Sequence, residues 1–178
     1  MPNAGKSGCV ADKSEMFSAL ARKILKILKS SADRDEKLKT ICKLLKDNIP
    51  YYNWVGFYLM ETPSLDALVV GPYAGSFAPT PRIPLDKGLC GAAATSRETV
   101  VVNNVAADPR YLGSDLVKSN IIVPIFVKNR VMAELCIESY FANTFDSFEQ
   151  RFIESCAALV GLSMEKEAGV AESTGTRH

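Results

Sequence analysis

The chain has 178 residues, 47% of them hydrophobic and 23% charged, a composition that supports one domain with a sizeable core and excludes extended disorder and collagen-like or mucin-like character. Lysine and arginine number 21 against 20 for aspartate and glutamate, so the net charge of +1 offers no basic field for nucleic acid and no polybasic face for anionic lipid. No apolar stretch approaches the roughly 18 residues needed to cross a bilayer, which argues against a membrane partner.

Residues 1–13 are small, polar and aperiodic, and read as a flexible tail without the apolar segment of a secretory signal; a cytoplasmic protein is expected. A single domain is expected over 14–166. From about Ser14 to Ser30, Phe17, Leu20, Ala21, Ile24 and Leu28 recur at helical spacing, with lysines between them forming a solvated face. A second helix is expected near Asp33, whose carboxylate can cap it with Glu36 following at the capping-box spacing; Leu38, Ile41, Cys42 and Leu45 make its apolar face and Pro50 ends it. Trp54 to Leu59 and Ala67 to Val70 are aromatic and β-branched, so they predict a strand pair closed by Gly71-Pro72. Pro72, Pro79, Pro81 and Pro84 forbid regular helix and predict an extended loop over about 74–87. Gly88 to Ala94 reads as a short helix of small residues, Val100 to Val102 as a strand, and 103–118 as a long polar connection. Ile121 to Val127 and Val131 to Ser139 form the clearest hairpin, turning at Lys128-Asn129-Arg130. Asp146, with Glu149 placed to complete a cap, opens a last helix carrying Phe152, Ile153, Cys156, Leu159 and Val160. Residues 167–178 read as a second flexible tail.

Helices at both ends and strands between them predict an α+β domain, an antiparallel sheet with the N- and C-terminal helices on one face and pocket-forming loops on the other. The connections at 74–87 and 103–118 are longer than usual and are the expected pocket walls.

Cysteine and histidine usage narrows the chemistry. Five cysteines, Cys9, Cys42, Cys90, Cys136 and Cys156, include no Cys-x-x-Cys pair, which fits neither a disulfide framework nor a zinc knuckle. The only histidine is His178, in the polar tail, so Ser-His-Asp and Cys-His catalysis and histidine-based metal sites are not expected. Thiols, carboxylates or binding alone remain.

Asn53-Trp54-Val55-Gly56-Phe57-Tyr58, Arg82-Ile83-Pro84, Lys87-Gly88-Leu89-Cys90-Gly91 and Ile121-Ile122-Val123-Pro124-Ile125 occur in the order seen in the GAF-domain family of free methionine-(R)-sulfoxide reductases. The chain resembles that family from about residue 15 to 165. The resemblance implies a GAF sheet of about six strands over a ligand pocket. In that family a cysteine attacks the sulfoxide sulfur, other cysteines resolve the sulfenic acid as a disulfide, and thioredoxin reduces it. Carried onto this sequence, the three cysteine positions fall on Thr80, on Cys90 and at or beside Ser114; the three acidic pocket positions fall on Asn120, Cys136 and Glu138. The aromatic pair is kept as Trp54 and Tyr58.

A hydroxyl forms no sulfenic acid, so Ser114 cannot replace the attacking thiol. Cys136 and Glu138 alternate on one strand and share a face, which makes Cys136 a candidate relocated thiol facing Cys90. Cys90 and Cys136 are therefore the candidate catalytic residues, and Trp54, Tyr58, Ser114, Asp115, Asn120 and Glu138 the candidate ligand-binding residues. Each has a bland reading beside it. Cys90 can be a small packed residue or a thiol lowered by a helix N-terminus; Cys136 can be an inert buried thiol; Trp54 and Tyr58 can be core. Glu138 can meet a ligand ammonium or reach solvent, and Asp115 can be a loop cap. Two functions stay open: a divergent family member binding a small polar ligand such as free methionine sulfoxide, with thioredoxin as reductant only if it is an enzyme, or a non-catalytic sensor or interaction module that dimerises. Neither a metal nor a cofactor is expected.

Overall fold

The computed structural model describes residues 6–174, with side chains over 12–169. Within them lie α1 (Lys6–Leu28), α2 (Arg34–Asn48), β1 (Trp54–Met60), β2 (Ala67–Gly75), β3 (Arg82–Pro84), α3 (Gly88–Ser96), β4 (Val100–Val102), β5 (Ser119–Val127), β6 (Arg130–Ser139) and α4 (Ser147–Thr174). The strands make one six-stranded antiparallel sheet in the order β3-β2-β1-β6-β5-β4.

Strand alternation divides the interior into two apolar layers. Val55 and Phe57 of β1, Ile121, Val123 and Ile125 of β5, and Ala133, Leu135 and Ile137 of β6 point into the main core, where α2 and α4 cover the sheet and α1 packs on both. Trp54 and Tyr58, Ile122, and Cys136 point the other way, toward α3 and the long loops. One face thus supplies stability and the other a site.

Both predicted caps form. Asp33 accepts from the Glu36 N–H at 2.9 Å, and Asp146 accepts from the N–H groups of Phe148 at 2.9 Å and Glu149 at 2.7 Å. The α1 stripe of Phe17, Leu20 and Ile24 is buried, with the Phe17 ring stacked 4.0 Å from that of Phe152. Cys42 and Cys156 lie buried in this core as free thiols, both pushed upward by burial.

Three expectations change. The segments read as tails are helical where described: α1 already runs from Lys6 and α4 continues to Thr174. Once a helix is nucleated by packing, each further residue adds a hydrogen bond at little cost, so polar composition does not end it. Lys13 on Glu149 and Lys37 on Glu167, the latter at 2.9 Å, tie these extensions to neighbouring helices. Residues 1–5 and 175–178 lie outside the described residues. The 74–87 loop contains the edge strand β3, with Pro84 at its end, where a missing N–H costs nothing. Pro72 sits inside β2 at a register shift against β1, a bulge that tolerates it.

Candidate functional site

On β6 the residues opposite the core side are Glu134, Cys136 and Glu138. Cys136 and Glu138 of this row lie on the floor of a cavity of about 470 Å³ roofed by α3, by the segment around Phe77 to Thr80 and by the segment around Tyr111 to Ser114. Gly91 lets α3 approach, since a Cβ there would press on the Leu85 and Pro84 carbonyls.

The aromatic wall depends on small residues. Trp54 is buried beside Gly56 and Gly75, where any added Cβ would overlap the indole. Its ring stacks 5.6 Å from Tyr73 and 6.1 Å from Phe77 and tilts against Tyr58 at 6.4 Å. Trp54 lines the cavity, and its Nε1–H is buried without a hydrogen-bond partner. Tyr58 donates to the Thr80 carbonyl at 3.3 Å.

Cys90 enters from the first turn of α3, and its side chain and that of Cys136 belong to one buried cluster. The two candidate thiol residues therefore share one cavity lining. Cys136 also lies 3.8 Å from the Asn120 side chain, and Asn120 donates to Glu138 Oε1 at 3.0 Å. Tyr111 donates to the same oxygen at 3.3 Å. Glu138 is 8% exposed, so it does not reach out to solvent; burial pushes its carboxyl up to about 7 against the pull of the Tyr111 and Asn120 hydrogen bonds.

The thiols are not activated by α3. The neighbouring Cys136 thiol and burial raise Cys90 well above the ordinary thiol range. The neighbouring Cys90 thiol pulls Cys136 down, but burial with the Glu138 and Glu134 carboxyls outweighs it and leaves that thiol raised. Burial likewise raises Tyr58 and Tyr111, keeping both phenols protonated.

Of the expected ligand-binding residues, Trp54, Tyr58, Ser114, Asn120 and Glu138 line the cavity together with both thiols. Asp115 does not: it is exposed beyond the turn, with its carbonyl accepting from Lys118 Nζ at 2.9 Å. The turn aims the Ser114 position inward and the next residue out. Glu134 and Tyr111 were missed. Glu134 is legible in the same alternation as Cys136 and Glu138, whereas nothing in the loop sequence marks Tyr111. Among the described residues no group of three or more His, Cys, Asp or Glu side chains can hold a metal ion.

The GAF domain family model matches residues 33–164. The chain belongs to the GAF domain family. It is homologous to free methionine-R-sulfoxide reductases: that of Escherichia coli (strain K12) is 28% identical over 83% of this chain and 87% of its own. The structure of the Neisseria meningitidis enzyme in complex with its substrate superposes with a TM-score of 0.81, at 30% identity, covering 88% of this chain and 93% of that one. GAF domain-containing protein A of Dictyostelium discoideum is 29% identical over 83% of this chain and 92% of its own. This GAF domain thus keeps the architecture of those relatives, while its own cavity is lined by two cysteines, Cys136 on β6 and Cys90 on α3, and by hydroxyl residues, Thr80 and Ser114, on its loops.

Proposed function

We propose that this GAF domain binds a free amino acid with a methyl-sulfoxide side chain and reduces it through Cys90 and Cys136. The observation that carries the reading is the placing of both thiols on one cavity lining beside a buried carboxyl. Glu138 faces the ligand ammonium, because a cation relieves a carboxylate that burial disfavours. Lys87 and the N-terminus of α3, at the cavity edge, suit the ligand carboxylate. Trp54 and Tyr58 pack the thioether end, and the unpaired indole N–H is a donor for ligand oxygen.

In the reaction the Cys136 sulfur attacks the sulfoxide sulfur and Cys90 then displaces oxygen from the oxidised Cys136. The S–O bond breaks, a Cys90–Cys136 disulfide forms, and both thiol protons leave with the oxygen as water. The sulfoxide gains the two electrons that the thiols lose. An external dithiol of the thioredoxin class returns the pair to the reduced state.

A second reading, a non-catalytic module dimerising through α1, is favoured by the raised thiols, since the thiol form is a poor nucleophile. One assay separates them: the protein is incubated with free methionine-(R)-sulfoxide, thioredoxin and its reducing system, and methionine is quantified. Turnover abolished by Cys90→Ser and by Cys136→Ser supports reduction. Binding without turnover in the unsubstituted protein selects the module, and no binding of either methionine or its sulfoxide removes the amino-acid assignment.

A further inference from the structure

Glu138 lies almost sealed from water on the cavity floor, and what it meets there carries no positive charge. Asn120 of β5 and Tyr111 of the loop above both donate to the same oxygen, Oε1, at 3.0 and 3.3 Å. Trp54 of β1 is its partner across the sheet. The thiols and phenol that stand around it, Cys90 of α3, Tyr58 of β1 and Cys136 on its own strand, are all raised above their ordinary ranges, as is Tyr111. Glu134, the other carboxyl on this side of β6, is fully buried and is not on the cavity lining. Among the described residues no ion pair reaches Glu138. The two cationic residues on the lining are placed elsewhere: Arg82 is held by Glu61 and Asp66 at 2.7 and 3.1 Å, and Lys87 is the exposed N-cap of α3.

A carboxylate out of water, with two neutral donors on one oxygen and no cation, is under-compensated, and a proton relieves it. Burial pushes Glu138 up to about 7, in agreement with that geometry. A ligand ammonium relieves it equally, so proton and ammonium compete for one carboxyl. We propose that binding in this cavity is a cation-for-proton exchange: the ligand ammonium takes the place at Glu138 that a proton holds before the ligand enters, and that proton leaves to solvent. The ligand keeps its three ammonium protons, Glu138 gives up one, and the pair left in the cavity has no net charge. This rests on the assignment of the ligand ammonium to Glu138 and not on any chemistry at Cys90 and Cys136. By linkage the affinity falls about tenfold for each pH unit below 7 and levels off above it.

Titration calorimetry of the full chain, its thiols reduced, tests this with methionine, which carries the ammonium but no oxygen to lose. Buffers of different ionisation enthalpy count the protons. We expect release of about 0.9 proton per methionine at pH 6 and about 0.1 at pH 8, with binding about tenfold weaker at pH 6. Glu138→Gln, which has no proton to exchange, binds methionine more weakly than the unsubstituted chain at pH 8 and releases no proton at pH 6. On adding methionine at pH 6, an infrared difference spectrum of the unsubstituted chain loses a protonated-carboxyl stretch, and that of the Gln variant does not. Equal affinity at the two pH values, no proton release at pH 6, a release that persists in the Gln variant, or no carboxyl band lost overturns the proposal. Sulfoxide turnover in the same preparations keeps the two readings apart. Turnover without proton release leaves the reductase and removes the exchange; proton release without turnover leaves the exchange and removes the reductase. No binding of methionine or its sulfoxide at either pH removes both.

Discussion

Burial holds the Glu138 carboxyl at about 7, above its ordinary 4.5. The folded chain therefore binds that proton more tightly than the unfolded chain does. Its contribution to stability is full below pH 4.5, falls as pH rises from there to about 7, and stays at its low value above. Glu138→Gln keeps the shape without the charge, so it is expected to be more stable than the unsubstituted protein at pH 8 by about 3 kcal/mol and equal to it near pH 4. Urea unfolding at the two pH values checks this; equal midpoints for the two proteins at pH 8 would refute it. Period-two alternation was enough to place Glu138 on the cavity face with Cys136. Its protonation was not legible, because it depends on Tyr111 and Asn120 and on how completely the loops exclude water.

At the scale of elements, the pairing of β1 with β2 sets the aromatic wall. Trp54 pairs with Gly75 across the strands, and the indole lies over that glycine and over Gly56. Gly75→Ala is expected to push the ring from its slot, lowering stability by about 1–3 kcal/mol. Since Trp54 is the only tryptophan, its emission maximum reports the shift directly. An unchanged spectrum with unchanged stability would show that the slot is not tight. The helices α2 and α4 were visible from their caps, and the β5–β6 hairpin from two apolar runs around Lys128 and Asn129, both of which take positive φ in the turn, at 47° and 61°. Edge strand β3 was hidden by its prolines, whose tolerance depends on lying at the sheet border rather than on any local preference.

Across the whole molecule, α1, α2 and α4 brace one side of the sheet so that the other can hold a cavity. Phe17 joins α1 to α4, stacked 4.0 Å from Phe152 and 5.5 Å from Phe148. Phe17→Ala is expected to cost about 3–5 kcal/mol in chemical unfolding while leaving the environment of Trp54 unchanged, because the two lie in separate apolar layers. A change in Trp54 fluorescence in the folded variant would show that the layers are coupled. By itself the sequence determined the helix stripes, the face each strand residue takes and the family resemblance, since these follow from periodicity and residue identity. Only the tertiary structure decided that Cys90 and Cys136 line one cavity, that Tyr111 reaches Glu138, that Asp115 turns away and that Glu134 is sealed from water. Those facts are distances between segments remote in the chain, set by how α3 and the loops seat on the sheet, and no local pattern encodes them.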